Sequence, residues 1–180
     1  MSSTASTVVI RRAGFGDARL LASLGARTFL DTYTGLVPDA ELRAYVADVF
    51  TPDRLRAELD DPHTTVFVAL RIRQPVGYAL VRREPAPHGV GGTSPLSLGR
   101  IYVDATAQGS GTGSALFTHV LAEAACRAHD RLWLTVWEHN TRAIAVYERW
   151  GFSDVGAVHF DFAGVGQTDR VMATSVPQLG

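Results

Sequence analysis

The chain has 180 residues, 46% of them apolar and 19% charged, with a formal net charge of −1; this is enough for one full core, and it offers no basic field to gather nucleic acid. All 17 basic residues are arginine, which excludes a P-loop lysine and a Schiff-base lysine together. The single cysteine, Cys126, cannot form an internal disulfide and fits a reducing compartment, no apolar run approaches the ~20 residues of a membrane span, and "MSSTAS" lacks the charged and apolar regions of a signal peptide.

In chain order, residues 1–6 read as a disordered polar start, and the expected location is cytoplasmic. "TVVIRR" reads as a strand. A helix follows over "GFGDARLLASLGARTFLDTY", capped at Gly14, with Asp17 in its first turn and a stripe through Leu20, Leu21 and Leu24. Pro38 opens a second helix near its first position, and Thr51 with Pro52 opens a third. "TTVFVALR" and "VGYALVRRE" form a hairpin. Pro85–Ser97 is a loop rich in Pro, Gly and Ser. "SLGRIYVD" is a strand and "GTGSALFTHVLAEAACRAHD" a long helix. "RLWLTVWE" is a strand and "TRAIAVYERW" a short helix, with Asn140 or Thr141 as cap and Gly151 as its stop. "SDVGAVHFDFAG" and "TDRVMATSV" close the chain as a hairpin. The order β-α-α-α-β-β-β-α-β-α-β-β predicts a parallel crossover inside an otherwise antiparallel sheet. One domain over residues 7–176 is expected, with a tail at 177–180.

The chemistry concentrates at Gln108-Gly109-Ser110-Gly111-Thr112-Gly113. After a strand and at a helix start, this turn leaves backbone N–H groups unpaired, and its glycines let a ligand approach. With the helix dipole, that points to a phosphate or pyrophosphate; taken alone, the glycines leave a ligand-free turn open. A dinucleotide fingerprint fits poorly. The glycines run G-x-G-x-G, "DATAQ" separates them from the strand, and nothing continues the βαβ pattern beyond Glu138.

The neighbouring motifs resemble a family. Q-x-x-G-x-G after a strand, then "N-x-x-A-x-x-x-Y-x-x-x-G-F" from Asn140 to Phe152, is similar to the GNAT acetyltransferases, over about residues 7–176. "TFLDTY", "LRAYVADVF", "RIYVD" and "QTDRVM" look like the PaiA-type spermidine/spermine acetyltransferases within it. The resemblance implies an α/β GNAT fold: a mostly antiparallel seven-stranded sheet with one parallel pair, flanked by helices. It implies acetyl-CoA as donor and no metal. Gln108, Gly109, Ser110, Gly111, Thr112 and Gly113 would wrap its pyrophosphate. Ile101, Tyr102 and Val103 would offer backbone groups to the pantetheine arm, which enters where "RIYV" and "LWLTV" splay apart in the family. An N–H near Val103 would hold the thioester oxygen. Asn140 would touch CoA while capping its helix. Tyr147 matches the family tyrosine and would act as general acid to the departing thiolate; a packed aromatic is the plain alternative.

The acceptor expected is a small amine, a polyamine first. A peptide amino terminus, or a non-catalytic acetyl-CoA sensor, is the alternative. Asp31, Glu41, Asp48 and Glu84 are the acids that could meet such a cation. Ser97 and Gly99 stand where many relatives carry strand glutamates. The base is therefore open among Glu138, His139, His159, Asp31 and an ordered water chain. Cys126 reads as a small, partly buried residue and Trp133 and Trp137 as core or pocket wall. A homodimer is expected from the exposed sheet edges.

Overall fold

A computed structural model of the chain describes residues 7–162 and 165–178. The expected disordered start at residues 1–6 lies outside the described residues, as do the last two residues of the 177–180 tail. The described elements are β1 (Val8–Arg12), α1 (Ala18–Tyr33), α2 (Asp39–Val49), α3 (Pro52–Asp60), β2 (Thr64–Arg71), β3 (Gln74–Arg82), β4 (Pro95–Val103), α4 (Thr112–Cys126), β5 (Arg131–Trp137), α5 (Thr141–Arg149), β6 (Ser153–Phe162) and β7 (Val165–Ser175). That is the predicted order.

The strands form a seven-stranded sheet in the order β1-β2-β3-β4-β5-β7-β6. β1 lies antiparallel on β2, with Ile10 opposite Ala69. β5 and β6 both lie antiparallel on β7. The parallel pair is β4 with β5, registered Pro95 to Arg131, Leu96 to Leu132 and Ser97 to Trp133, and α4 is the crossover between them. By its contacts the chain divides into two compact units. One holds the chain up to Leu80 together with Arg100–Val120; the other holds Val81–Gly99 and the chain from Leu121.

In the first unit, Leu21 and Leu24 of α1 meet Leu55 of α3, Val66 and Val68 of β2 and Tyr78 and Leu80 of β3. Each buried leucine removes enough apolar area from water for about 1.5–3 kcal/mol. Gly25 keeps α1 close to this core, since a Cβ there would stand 2.5 Å from the Phe50 ring and 2.8 Å from the Tyr78 hydroxyl. The entry to α1 differs from expectation. A 3₁₀ turn at Phe15–Asp17 comes first, because the Asp17 carboxylate is already engaged: it accepts the Gly14 N–H at 2.9 Å and two Arg11 bonds at 2.7 Å. The Arg11 hydrogen bond, more than the Gly14 N–H, holds the Asp17 carboxyl below its usual range. Pro38 is the cap of α2, one position before its expected place. Thr51 caps α3 as read, its hydroxyl accepting the Arg54 N–H at 3.2 Å. β2 and β3 are joined by Ile72 and Arg73, both at positive φ, a mirror-image turn that suits the twist of a hairpin.

In the second unit, Trp133, Val171 and Ala173 form a small core with Val90. The loop carrying Val90 is fastened by Asp130, whose carboxylate accepts the Thr93 N–H at 2.6 Å and the Ser94 N–H at 2.9 Å. Those two backbone bonds pull its pKa down to about 2. β4 begins at Pro95, so the loop is shorter than the predicted Pro85–Ser97. α4 ends at Cys126, four residues before its predicted end, because Ala128 adopts the left-handed conformation with φ of 56° and turns the chain out of the helix. Cys126 itself is exposed, against the expected partial burial.

Candidate active site

In the first unit, β4 delivers Ile101, Tyr102 and Val103, all half-buried, to the glycine-rich turn. Asp104 fixes the join. It is buried, and its carboxylate accepts the Thr106 N–H at 3.0 Å and the Thr106 hydroxyl at 2.6 Å, while Arg27 of α1 donates to its other oxygen at 2.7 Å. The Thr106 hydroxyl, aided by the Thr106 N–H and Arg27, lowers its pKa. The Gln108 side-chain amide donates to the Val103 carbonyl at 3.2 Å, so that carbonyl is already engaged within the turn.

Gly109 and Gly111 sit at φ of 74° and 84°, and a Cβ on either would meet nothing within 4 Å. Their lack of a side chain answers a backbone conformation and leaves open space above it. The Ser110 hydroxyl donates to the Ala107 carbonyl at 2.6 Å and contacts the buried Thr112 hydroxyl at 2.9 Å. The first bond of α4 runs from the Ala115 N–H to the Gly111 carbonyl at 2.9 Å. Thr112, Gly113 and Ser114 therefore have no intrahelical acceptor for their N–H groups, and Gly111, as the residue before the helix, brings no capping side chain. Unpaired donors, a helix dipole and open space fit a phosphate group.

The first unit also carries an aromatic cluster. Phe29 and Tyr33 of α1 lie 4.5 Å apart, and Phe29 stacks on Tyr45 of α2 at 4.8 Å. Tyr78 and Tyr102 meet edge-on at 5.5 Å. Arg100 enters this cluster, its guanidinium 5.5 Å from the Phe50 ring centre and 2.6 Å from the Glu58 carboxylate. Burial works against the Arg100 charge, yet the Glu58 hydrogen bond and the nearby phenols outweigh it and the pKa rises. The Tyr78 hydroxyl is buried with no partner at hydrogen-bonding geometry, and burial raises its pKa, with Arg100 opposing electrostatically. Burial likewise raises that of Tyr102.

In the second unit, Asn140 caps α5 by accepting the Ala143 N–H at 3.2 Å. Tyr147 is half-buried on α5, its ring 6.0 Å from Trp150 and 5.8 Å from Phe152. Ser97 is buried and Gly99 exposed. Among the open candidates for the base, Asp31, His139 and His159 are exposed. His139 stands 3.9 Å from Glu138, and His159 faces the Thr168 hydroxyl at 3.0 Å. Of the four acids read for the acceptor, Asp48 is engaged by Arg54 at 3.2 Å.

The model of the Acetyltransferase (GNAT) family matches residues 28–152. The chain belongs to the GNAT acetyltransferase family. An uncharacterized N-acetyltransferase of Mycobacterium bovis is 30% identical over 87% of this chain and 96% of its own length. One of Lactobacillus delbrueckii is 24% identical over 83% and 87%. The PaiA N-acetyltransferase of Thermoplasma acidophilum, solved with coenzyme A, superposes with a TM-score of 0.76 at 14% identity, covering 94% of this chain and 99% of that one. The ribosomal-protein-S18-alanine N-acetyltransferase of Escherichia coli reaches 0.68 at 19% identity, covering 97% of each; both likenesses show a shared fold. The protein is an acetyl-CoA-dependent N-acetyltransferase, and among the described residues no group of side chains could hold a metal ion. No described helix is long and apolar enough to cross a membrane.

The reading of the sequence missed four residues of this acetyltransferase. Asp104 carried a usable signal, an aspartate two residues before a threonine at a strand end, which is a turn-capping pattern. Glu58, Arg100 and Tyr78 carried none, since their meeting depends on how α3, β3 and β4 pack.

Proposed function

We propose that the acetyltransferase moves an acetyl group onto the primary amine of a small aliphatic acceptor, a polyamine as first choice, with Tyr147 as general acid. The observation that carries the acceptor reading is the aromatic cluster. Phe29, Tyr33 and Tyr45 come from the "TFLDTY" and "LRAYVADVF" segments that resemble the PaiA-type enzymes. Their π faces attract alkyl ammonium groups, and the exposed Asp31 and half-buried Glu41 lie on the same helices, α1 and α2. PaiA likeness in the solved structures supports the fold on which this rests.

The residues have distinct tasks. The donors at the start of α4 neutralise the phosphates of the donor, and Gln108–Gly113 bind them through the backbone. Ile101, Tyr102 and Val103 align the pantetheine arm, with the N–H near Val103 on the thioester oxygen. Asn140 adds a CoA contact from the cap of α5. When bound, acetyl-CoA supplies an activated acetyl group. Tyr147 then gives its phenolic proton to the departing sulfur and regains one from solvent.

The decisive experiment compares kcat/KM for spermidine, a monoamine and a peptide amino terminus under one buffer. Spermidine is expected to lead. A tenfold or larger advantage for the peptide overturns the polyamine reading in favour of peptide acetylation.

A further inference from the structure

We propose that Asp169 receives the protonated amine of the acceptor and removes its proton, with Thr135 and Trp137 framing that amine on the same face of the sheet. The inference rests on the amine-acceptor reading above and supplies the base that Ser97 and Gly99 do not. Asp169 stands on β7 opposite Trp137 of β5 and Val158 of β6. Antiparallel partners share a face, as do residues two apart on a strand. Thr135, Trp137, Gln167 and Val171 therefore share the face of Asp169.

That face is mostly apolar. Trp133, Val171, Ala173 and Val158 pack there with Val90. Its polar groups are few and specific. The Trp137 indole N–H donates to the Gln167 side-chain oxygen at 2.8 Å, which holds the ring in place. The Trp133 indole N–H is buried and meets no acceptor, so the face keeps an unused donor. The Thr135 hydroxyl lies near enough to the Asp169 carboxyl to favour its ionised form.

Among the described residues, no cation pairs with Asp169. Arg170 is engaged by Asp154 at 3.2 Å, and His159 by Thr168. The groups facing Asp169 from β5 and β6 are Thr135, Trp137 and Val158, none of which ionises near neutral pH. A half-buried carboxylate with no counter-ion is costly to keep. Such a group makes sense where a cation arrives from outside. Burial raises the Asp169 pKa, with the nearby Thr135 hydroxyl opposing. The same apolar surroundings lower the pKa of an arriving ammonium. Both changes narrow the gap that proton transfer must cross.

The step balances as follows. The acceptor R–NH3⁺ gives one proton to the Asp169 carboxylate and becomes R–NH2. The nitrogen lone pair forms the N–C bond to the acetyl carbon while the C–S bond breaks, and the sulfur leaves with the electron pair and is protonated. The nitrogen then sheds its second proton, and Asp169 returns its own to solvent. One proton is released for each amide formed.

The test uses the full chain, acetyl-CoA and the best amine of the panel, over pH 5 to about 10. For the wild type, kcat/KM should rise through the Asp169 titration and then stay level across neutral pH. Asp169→Asn should lower kcat/KM at pH 7 by ~10²–10⁴-fold. Its logarithm should then climb with unit slope toward the amine's own pKa of ~10.4, because free amine becomes the only route. Acetyl-CoA affinity by calorimetry should stay within about twofold. The melting temperature should rise, since ionised Asp169 opposes folding above its folded-state pKa and asparagine does not. Asp169→Glu keeps a carboxylate and should keep the level region, even if the asparagine variant folds poorly. A level profile in Asp169→Asn with kcat/KM within threefold of wild type overturns the proposal and leaves the amine reading standing. A wild type that acetylates no amine overturns both.

Discussion

The glycine-rich turn at Gln108–Gly113 and the β5–β7–β6 face around Asp169 are built in opposite ways. The turn presents backbone. Its glycines lie at positive φ with open space above them, and its donors are the unbonded N–H groups of a helix start. The face presents side chains that strand register brings together: Trp137 opposite Asp169, and Val171 opposite Thr135. Backbone chemistry needs particular residues at fixed local spacing. Register chemistry needs only that strands far apart in sequence pair in one alignment.

The largest expected effect tests side-chain chemistry at Tyr147. Its ring packs against Trp150 and Phe152, and Tyr147→Phe keeps that packing while removing the hydroxyl. Loss of a general acid lowers kcat by ~10²–10⁴-fold, so the variant should melt near the wild-type temperature and turn over far more slowly. An unchanged kcat in single-turnover kinetics, where chemistry is observed directly, removes Tyr147 from the mechanism.

The next effect tests the backbone side of the contrast. Gly111→Val places a β-branched residue at φ of 84° and a side chain in the space above the turn. The left-handed conformation alone costs about 1–2 kcal/mol for an L-residue. Affinity for acetyl-CoA in calorimetry should fall by at least about tenfold, from this strain and the blocked approach together. Gly14→Ala is the control: the space around it is open and no positive φ is involved. If Gly111→Val bound acetyl-CoA as tightly as the control, the turn would not be the phosphate site.

The contrast also explains what the sequence could be made to tell. The order of all strands and helices was legible because hydrophobic period, Thr51 and Asn140 as caps and Gly151 as a stop are local signals. The turn was legible for the same reason. Asp104 was legible in principle, through its cap on Thr106. Glu58 and Arg100 were not: they are far apart in the chain and meet at 2.6 Å through packing of α3 on β4. Asp169 was not, because "QTDRVM" gives no sign that Trp137 stands opposite it. The end of α4 was misplaced because Ala128 holds a conformation that normally announces itself with glycine.

That last point gives the smallest and cleanest prediction, since it concerns backbone alone. α4 and α5 end in the same pattern. In α4 the His129 N–H reaches the Ala124 carbonyl at 2.9 Å and the Ala128 N–H reaches Ala125 at 3.0 Å. In α5 the Phe152 N–H reaches Tyr147 at 3.0 Å and the Gly151 N–H reaches Glu148 at 2.9 Å. These are the paired closing bonds of a left-handed helix stop. The position that turns left is alanine at φ of 56° in one and glycine at φ of 85° in the other. Ala128→Gly should relieve a left-handed alanine, a gain of at most about 1 kcal/mol once the entropy glycine adds to the unfolded chain is deducted. Gly151→Ala should lose a similar amount. For a chain of this size 1 kcal/mol moves the melting temperature by about 2–4 °C, so the two variants should shift it in opposite directions, with acetyl-CoA affinity unchanged in Ala128→Gly. A fall in melting temperature for Ala128→Gly would mean that the alanine methyl contributes packing worth more than the strain, and that the stop of α4 is held by side chains after all.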